Sequence, residues 1–129
     1  MRVRSRDRGA SAVEFALVVP LLIALMLGIL AFGHAFHVQS VLSNAARDGV
    51  RVVALQDTSG GSDPQTVARQ RVIASASPSA NLSVDHIEIT PSTCAVGSTA
   101  TVTVTYPMQL LGGIGGITLT SKGTMRCNG

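Results

Sequence analysis

Residues 15–36 read FALVVPLLIALMLGILAFGHAF, and no residue between Ala16 and Gly33 is charged. A helix rising about 1.5 Å per residue crosses a hydrocarbon layer of about 30 Å with a segment of this length. The reading that follows is one transmembrane helix, placed at 10–36. A cleaved export signal is the alternative, with Gly33 and Ala35 as a small-x-small cleavage pair, although such signals have shorter apolar stretches of about 7 to 15 residues.

Moving outward on the N-terminal side, residues 1–9 carry Arg2, Arg4, Arg6 and Arg8 against Asp7, while the rest of the chain holds six basic and six acidic residues. The whole net charge of +3 therefore sits in a short leader. Basic residues beside an apolar span hold that end in the cytoplasm, so everything after the helix is expected outside. A nucleic-acid binder would need its cations gathered on a folded face, and none is read here.

On the C-terminal side the helical period continues. Val38, Leu42, Ala45, Gly49 and Val52 share a stripe, with Ser40, Asn44, Arg47 and Arg51 opposite. This predicts an extracytoplasmic continuation over 37–55 and a helix from Ala10 to Leu55 about 70 Å long. Thr58-Ser59-Gly60-Gly61-Ser62 is a break. Asp63-Pro64 then opens a short second helix, with Val67, Ala68, Val72 and Ala76 as its apolar face and Pro78 as its bound. Leu82 to Thr90 alternates with a slip between Val84 and Ile87, which predicts a β-bulge near Asp85-His86. Ala100 to Tyr106 alternates cleanly, and Ile117 to Arg126 repeats the pattern through Ile117, Leu119 and Met125. The expected fold class is α+β: a long N-terminal helix and, over 56–129, a small head of one short helix and a three-stranded antiparallel sheet. The link Leu110 to Gly116 is too long for a two-residue hairpin turn, and its Leu and Ile either tuck inward or face a neighbour.

Aromatics make up 3% of the chain and Trp is absent, so the head must build its core from aliphatic residues and needs a staple. Cys94 and Cys127 both fall on the exported side, where a disulfide is expected; two free thiols are the alternative. Closing a loop of that size stabilises by roughly 3 to 4 kcal/mol in the chain-entropy model. Two thiols with scattered histidines do not make a metal site. His34 and His37 are spaced i, i+3 near the outer membrane boundary, and His86 stands alone. There is no Ser-His-Asp set, carboxylate pair or phosphate loop, so neither an enzyme nor a cofactor is expected.

The most informative stretch is Gly9-Ala10-Ser11-Ala12-Val13-Glu14-Phe15. A carboxylate at the edge of an apolar span usually has a partner or a purpose; as a plain alternative, it stands in a first helical turn favoured by the macrodipole. Gly, four residues, then Glu-Phe, after a basic tail and before an apolar helix, resembles the processing site of type IV prepilins. Arg8 to Leu22 resembles the N-terminal signature of TadE-like pseudopilins of the tight adherence (Flp) pilus system, and Ala45-Ala46-Arg47-Asp48-Gly49-Val50-Arg51 resembles that family's second block. The resemblance implies cleavage between Gly9 and Ala10 by a prepilin peptidase, with Glu14, followed by Phe15, neutralising the new amine of a neighbouring subunit in a filament. A mature start at Ala10 departs from the Phe or Met of type IVa pilins, and a Flp major pilin would be much shorter.

Ala12, Ala16, Pro20, Ala24 and Gly28 recur at multiples of four and would let helices approach closely in lipid; ordinary Ala and Gly usage in a membrane span gives the same pattern. The resemblance thus implies a minor pseudopilin at the inner membrane, entering or founding a pilus. Its implied partners are the prepilin peptidase, the Flp major pilin, other pseudopilins and the inner-membrane assembly platform. An uncleaved, membrane-anchored extracytoplasmic binding protein is the alternative, and the mature N-terminus separates the two.

Overall fold

The computed structural model describes residues 6–56, 61, 63–110, 113 and 115–127. Its elements are helix α1 (Arg6–Ala54), helix α2 (Pro64–Ala76), a 3-10 turn (Val84–His86) and strands β1 (Ile87–Thr90), β2 (Thr99–Gln109) and β3 (Gly116–Arg126). This is the α+β arrangement expected, a long N-terminal helix with one short helix and a three-stranded antiparallel sheet. The chain divides into two compact units, Met1–His34 and Ala35–Gly129.

Helix α1 begins at Arg6 rather than Ala10 and contains Pro20. Arg6 and Arg8 are good helix formers and carry the helix back into the basic leader despite Gly9. Met1 to Ser5 of that leader lie outside the described residues, as do Thr58, Ser59, Gly60 and Ser62 of the break.

In the second unit, Val38, Leu42, Ala45, Ala46, Val50, Val52 and Val53 of α1 are buried, while Ser40, Asn44, Arg47 and Arg51 are exposed. From α2 the core takes Ala68, Val72 and Ala76, with Val67 partly buried. Asp63 stands at the N-cap without a side-chain cap bond; its carbonyl accepts the Val67 N–H at 3.1 Å.

The sheet order is β1-β2-β3. Ile87 and Ile89 of β1 and Ala100, Val102, Val104 and Met108 of β2 face the helices. The slip between Val84 and Ile87 is a 3-10 turn and not a bulge. Ser83 and His86 close a capping box over it, with the Ser83 N–H donating to His86 Nδ1 at 3.2 Å, and the strand starts only at Ile87. On β3 the inward phase is as expected, but the buried positions are Ser121 and Gly123, while Ile117 and Met125 at the strand's ends are exposed.

Gly123 explains why. A Cβ there would meet the Ala46 carbonyl oxygen at 2.5 Å, so α1 lies directly on the β3 backbone and no side chain fits between. Gly49 does the same for the helix pair, its missing Cβ taken by Val72 and bordered by Val102. In the β2–β3 link, Gly113 and Gly115 have positive φ, and the Leu110 N–H donates to Gly115 O. Leu111, Gly112 and Ile114, which decide whether that loop is tucked or offered, lie outside the described residues.

Candidate functional site: an exposed apolar helix with an acid at its edge

No residue of the helical stretch before Ala35 whose burial is described is buried, and none in the most apolar window of α1. Leu21, Leu22, Ile23, Leu25, Met26 and Leu27 are all exposed, and because successive residues turn about 100° they cover every side of the helix. A helix apolar all round is at home in a membrane or among other helices. Leaving one large aliphatic side chain in water costs about 1.5–3 kcal/mol, and here the run spans several turns. The segment is long and apolar enough to cross a membrane.

From Gly9 to Ala46 the single formal charge is Glu14. Glu14 and Phe15 are exposed, and Glu14 lies one helical turn beyond Ala10. Gly9 and Ala10 are exposed too, with open space around the Gly9 Cα. Their peptide bond is inside α1, and the glycine lowers local helix stability by about 1 kcal/mol relative to alanine.

Ala12, Ala16, Pro20 and Ala24 are exposed and Gly28 is half-buried. Spaced four apart on a helix, they form an inclined row rather than a strip parallel to the axis. Such rows tilt by about 26° and define grooves into which a crossing helix fits its own ridge.

In the second unit the structure brings the expected disulfide partners together. Cys94 and Cys127 form the disulfide, with a Cα–Cα separation of 5.6 Å inside the usual range. It joins the end of β3 to the loop before β2, and the Gln56 side-chain amide donates to the Cys94 carbonyl. The block Ala45 to Arg51 turns out to be a docking strip. Ala45, Ala46 and Gly49 allow close approach, and Asp48 accepts the Ser75 hydroxyl at 2.9 Å. Asp48, Arg51, Val52, Leu55 and Arg71 line a shallow groove beside it.

Gln39 was missed by sequence reading. Its amide donates to Thr120 O at 3.0 Å and Ser121 Oγ at 3.1 Å, and a polar residue beside an apolar stripe gives no sign of such a distant partner. His37 Nε2 lies 3.3 Å from Ser79 Oγ, and His34 is exposed. Among the described residues, no three His, Cys, Asp or Glu side chains converge.

Comparison with known proteins adds one finding. Residues 9–51 match the family described as TadE-like protein, the stretch that holds the Gly9–Glu14 motif, the apolar helix and the docking strip. No curated protein and no solved structure matches the chain.

Proposed function

Taking residues 9–51 as a TadE-like segment, we propose that this chain is a minor pseudopilin of a Tad/Flp-type pilus system, acting in assembly through subunit contacts. The leader arginines hold the N-terminus in the cytoplasm and the disulfide-bonded head lies outside. A prepilin peptidase removes residues 1–9, which strips the leader's charge and leaves a free amine on Ala10. Within the bilayer the uniformly apolar helix is solvated by lipid. On extraction into a filament it exchanges lipid for the helices of the major pilin and other pseudopilins, with the row from Ala12 to Gly28 as a close-packing groove. Glu14 then faces the Ala10 amine of a neighbour, and in that desolvated setting either charge alone would be costly.

The observation that supports this reading is the match over residues 9–51, in which the Gly9–Glu14 motif and the docking strip flank an apolar helical stretch, 15–34, that holds no buried residue. The test is pilus incorporation of Glu14→Ala. The variant should insert in the membrane as wild type does yet fall well below wild-type levels in sheared pili. Wild-type incorporation would sink the pairing of Glu14 with the amine.

A further inference from the structure

The outer face of the sheet contains a row that ends in opposite charges. The register pairs Glu88 with Thr103 and Thr103 with Lys122, so an exposed acid at the β1 edge and an exposed base at the β3 edge stand in line on one face. Both outer strands are antiparallel to β2, and therefore they run in the same direction.

Backbone hydrogen bonds fix which groups are available at each edge. The Cys127 N–H donates to Ser98 O at 2.9 Å and the Leu110 N–H to Gly115 O at 3.2 Å. With the constant β2–β3 register, odd-numbered residues of β3 therefore bond β2, and Thr120, Lys122 and Thr124 turn their N–H and C=O outward. The bond from Gln39 to Thr120 O agrees with this. On the other side the odd-numbered residues of β2 face β1, so Glu88 and Thr90 point at β2 while Ile87 and Ile89 point away. Ile87 gives its N–H to Val84 O and keeps its carbonyl outward.

We infer that copies of this chain associate side by side in one orientation, β3 of one against β1 of the next, with Lys122 opposite Glu88 of the neighbouring copy. The pairing is parallel, in which a residue bonds the two residues flanking its opposite. Lys122 N–H meets Ile87 O, Ile89 N–H meets Lys122 O, and Thr124 N–H meets Ile89 O. Pro91 has no N–H and ends the ladder. Every group this register needs is turned outward, Lys122 and Glu88 lie on the same face, and the Gln39–Thr120 bond is undisturbed.

Competing pairings are worse. Antiparallel pairing of two β3 strands about Thr120 displaces Gln39, and about Lys122 it sets like charges opposite each other, which destabilises. The part of β2 beyond β1, Thr105–Gln109, is interrupted by Pro107. A lysine on an edge strand ordinarily deters pairing; an acid in the same row of the opposite edge makes it selective for the correct neighbour. Because the two edges differ, the contact is head-to-tail and repeats from copy to copy. It does not depend on the pilus reading.

The test mixes full-length Glu88→Cys and Lys122→Cys chains in detergent under mild oxidation, with the Cys94–Cys127 disulfide intact. The expected product is a mixed dimer whose cross-linked peptide joins position 88 to position 122, with little dimer from either variant alone. Cross-links of 88 to 88 or 122 to 122 only, or none, would overturn the inference. As an independent check, Lys122→Glu should weaken self-association about fivefold, and adding Glu88→Lys in the same chain should restore it. No recovery in the double variant would also overturn it.

Discussion

Replacing Gly123 with alanine places a methyl group 2.5 Å from the Ala46 carbonyl oxygen, 2.7 Å from its carbon and 3.0 Å from the Arg47 nitrogen. Ordinary contacts between such atoms are about 3.5 Å or longer, so α1 must retreat from β3 by about 1 Å. All three obstacles are backbone atoms, and no rotamer change relieves them. A gap of that size forfeits roughly a quarter to a half of the dispersion energy of each contact it opens, and it opens along the strip around Leu42, Ala46 and Val50. Overpacking in a closed core costs about 1–3 kcal/mol; with backbone as the obstacle we expect about 3 kcal/mol. The assay is denaturant unfolding of the full-length protein in detergent, read by fluorescence of Tyr106, the chain's one tyrosine in the absence of tryptophan. Gly49→Ala is the control, because its obstacle is the Val72 Cγ2 atom, part of a side chain. Val72→Ala alone should destabilise by emptying part of the core, and it should cost less in the Gly49→Ala background, where the new methyl fills part of that space and the clash is gone. No such neighbour exists to rescue Gly123→Ala. A midpoint for Gly123→Ala within about 0.5 kcal/mol of wild type would refute the close-approach argument.

Reducing the disulfide or replacing Cys94 and Cys127 with serine should cost the head roughly 3 to 4 kcal/mol, from the sequence separation of 33, visible as a lower unfolding midpoint than that of the oxidised protein. Gln39→Ala removes the bond to the exposed Thr120 carbonyl, which water replaces, and takes a donor from the buried Ser121 hydroxyl; it should cost about 1 kcal/mol, with faster hydrogen exchange of the neighbouring β3 amides as the local readout. Asp48→Ala should destabilise the α1–α2 contact by about 0.5–1.5 kcal/mol through loss of the Ser75 bond, whereas Asn at the same position should retain most of it. Gly9→Ala stiffens the helix across the proposed cleavage point by about 1 kcal/mol, and immunoblots should then show the unprocessed chain accumulating.

The elements were legible wherever a strong period ran without interruption. The stripe from Val38 to Val52, the clean alternation of Ala100 to Tyr106 and the break before Pro64 each led to an element of the expected type. Legibility failed where packing is carried by residues that hydropathy does not mark. Gly123 stands at the centre of the β3 inner face because α1 leaves no room there for a side chain, and Ser121 beside it accepts the Gln39 amide, while the more apolar Ile117 and Met125 sit at the ends. The slip at Asp85-His86 could be a bulge or a tight turn by spacing alone; the Ser83–His86 capping box decides for the turn. In the candidate site, Glu14 stood out because it interrupts an apolar run. Gln39 did not, since its partners lie on β3 and no local pattern announces them; Asp48 fell inside the block from Ala45 to Arg51, but its Ser75 partner on α2 had no local sign.

The proposed function requires the helix to be a temporary anchor freed by cleavage, and the mass of the mature N-terminus tests that most directly. Protein recovered from membranes and pili of cells with an active prepilin peptidase should begin at Ala10, and protein from cells lacking it should keep Met1. An intact Met1 in both, or a start near Phe36, would contradict the account.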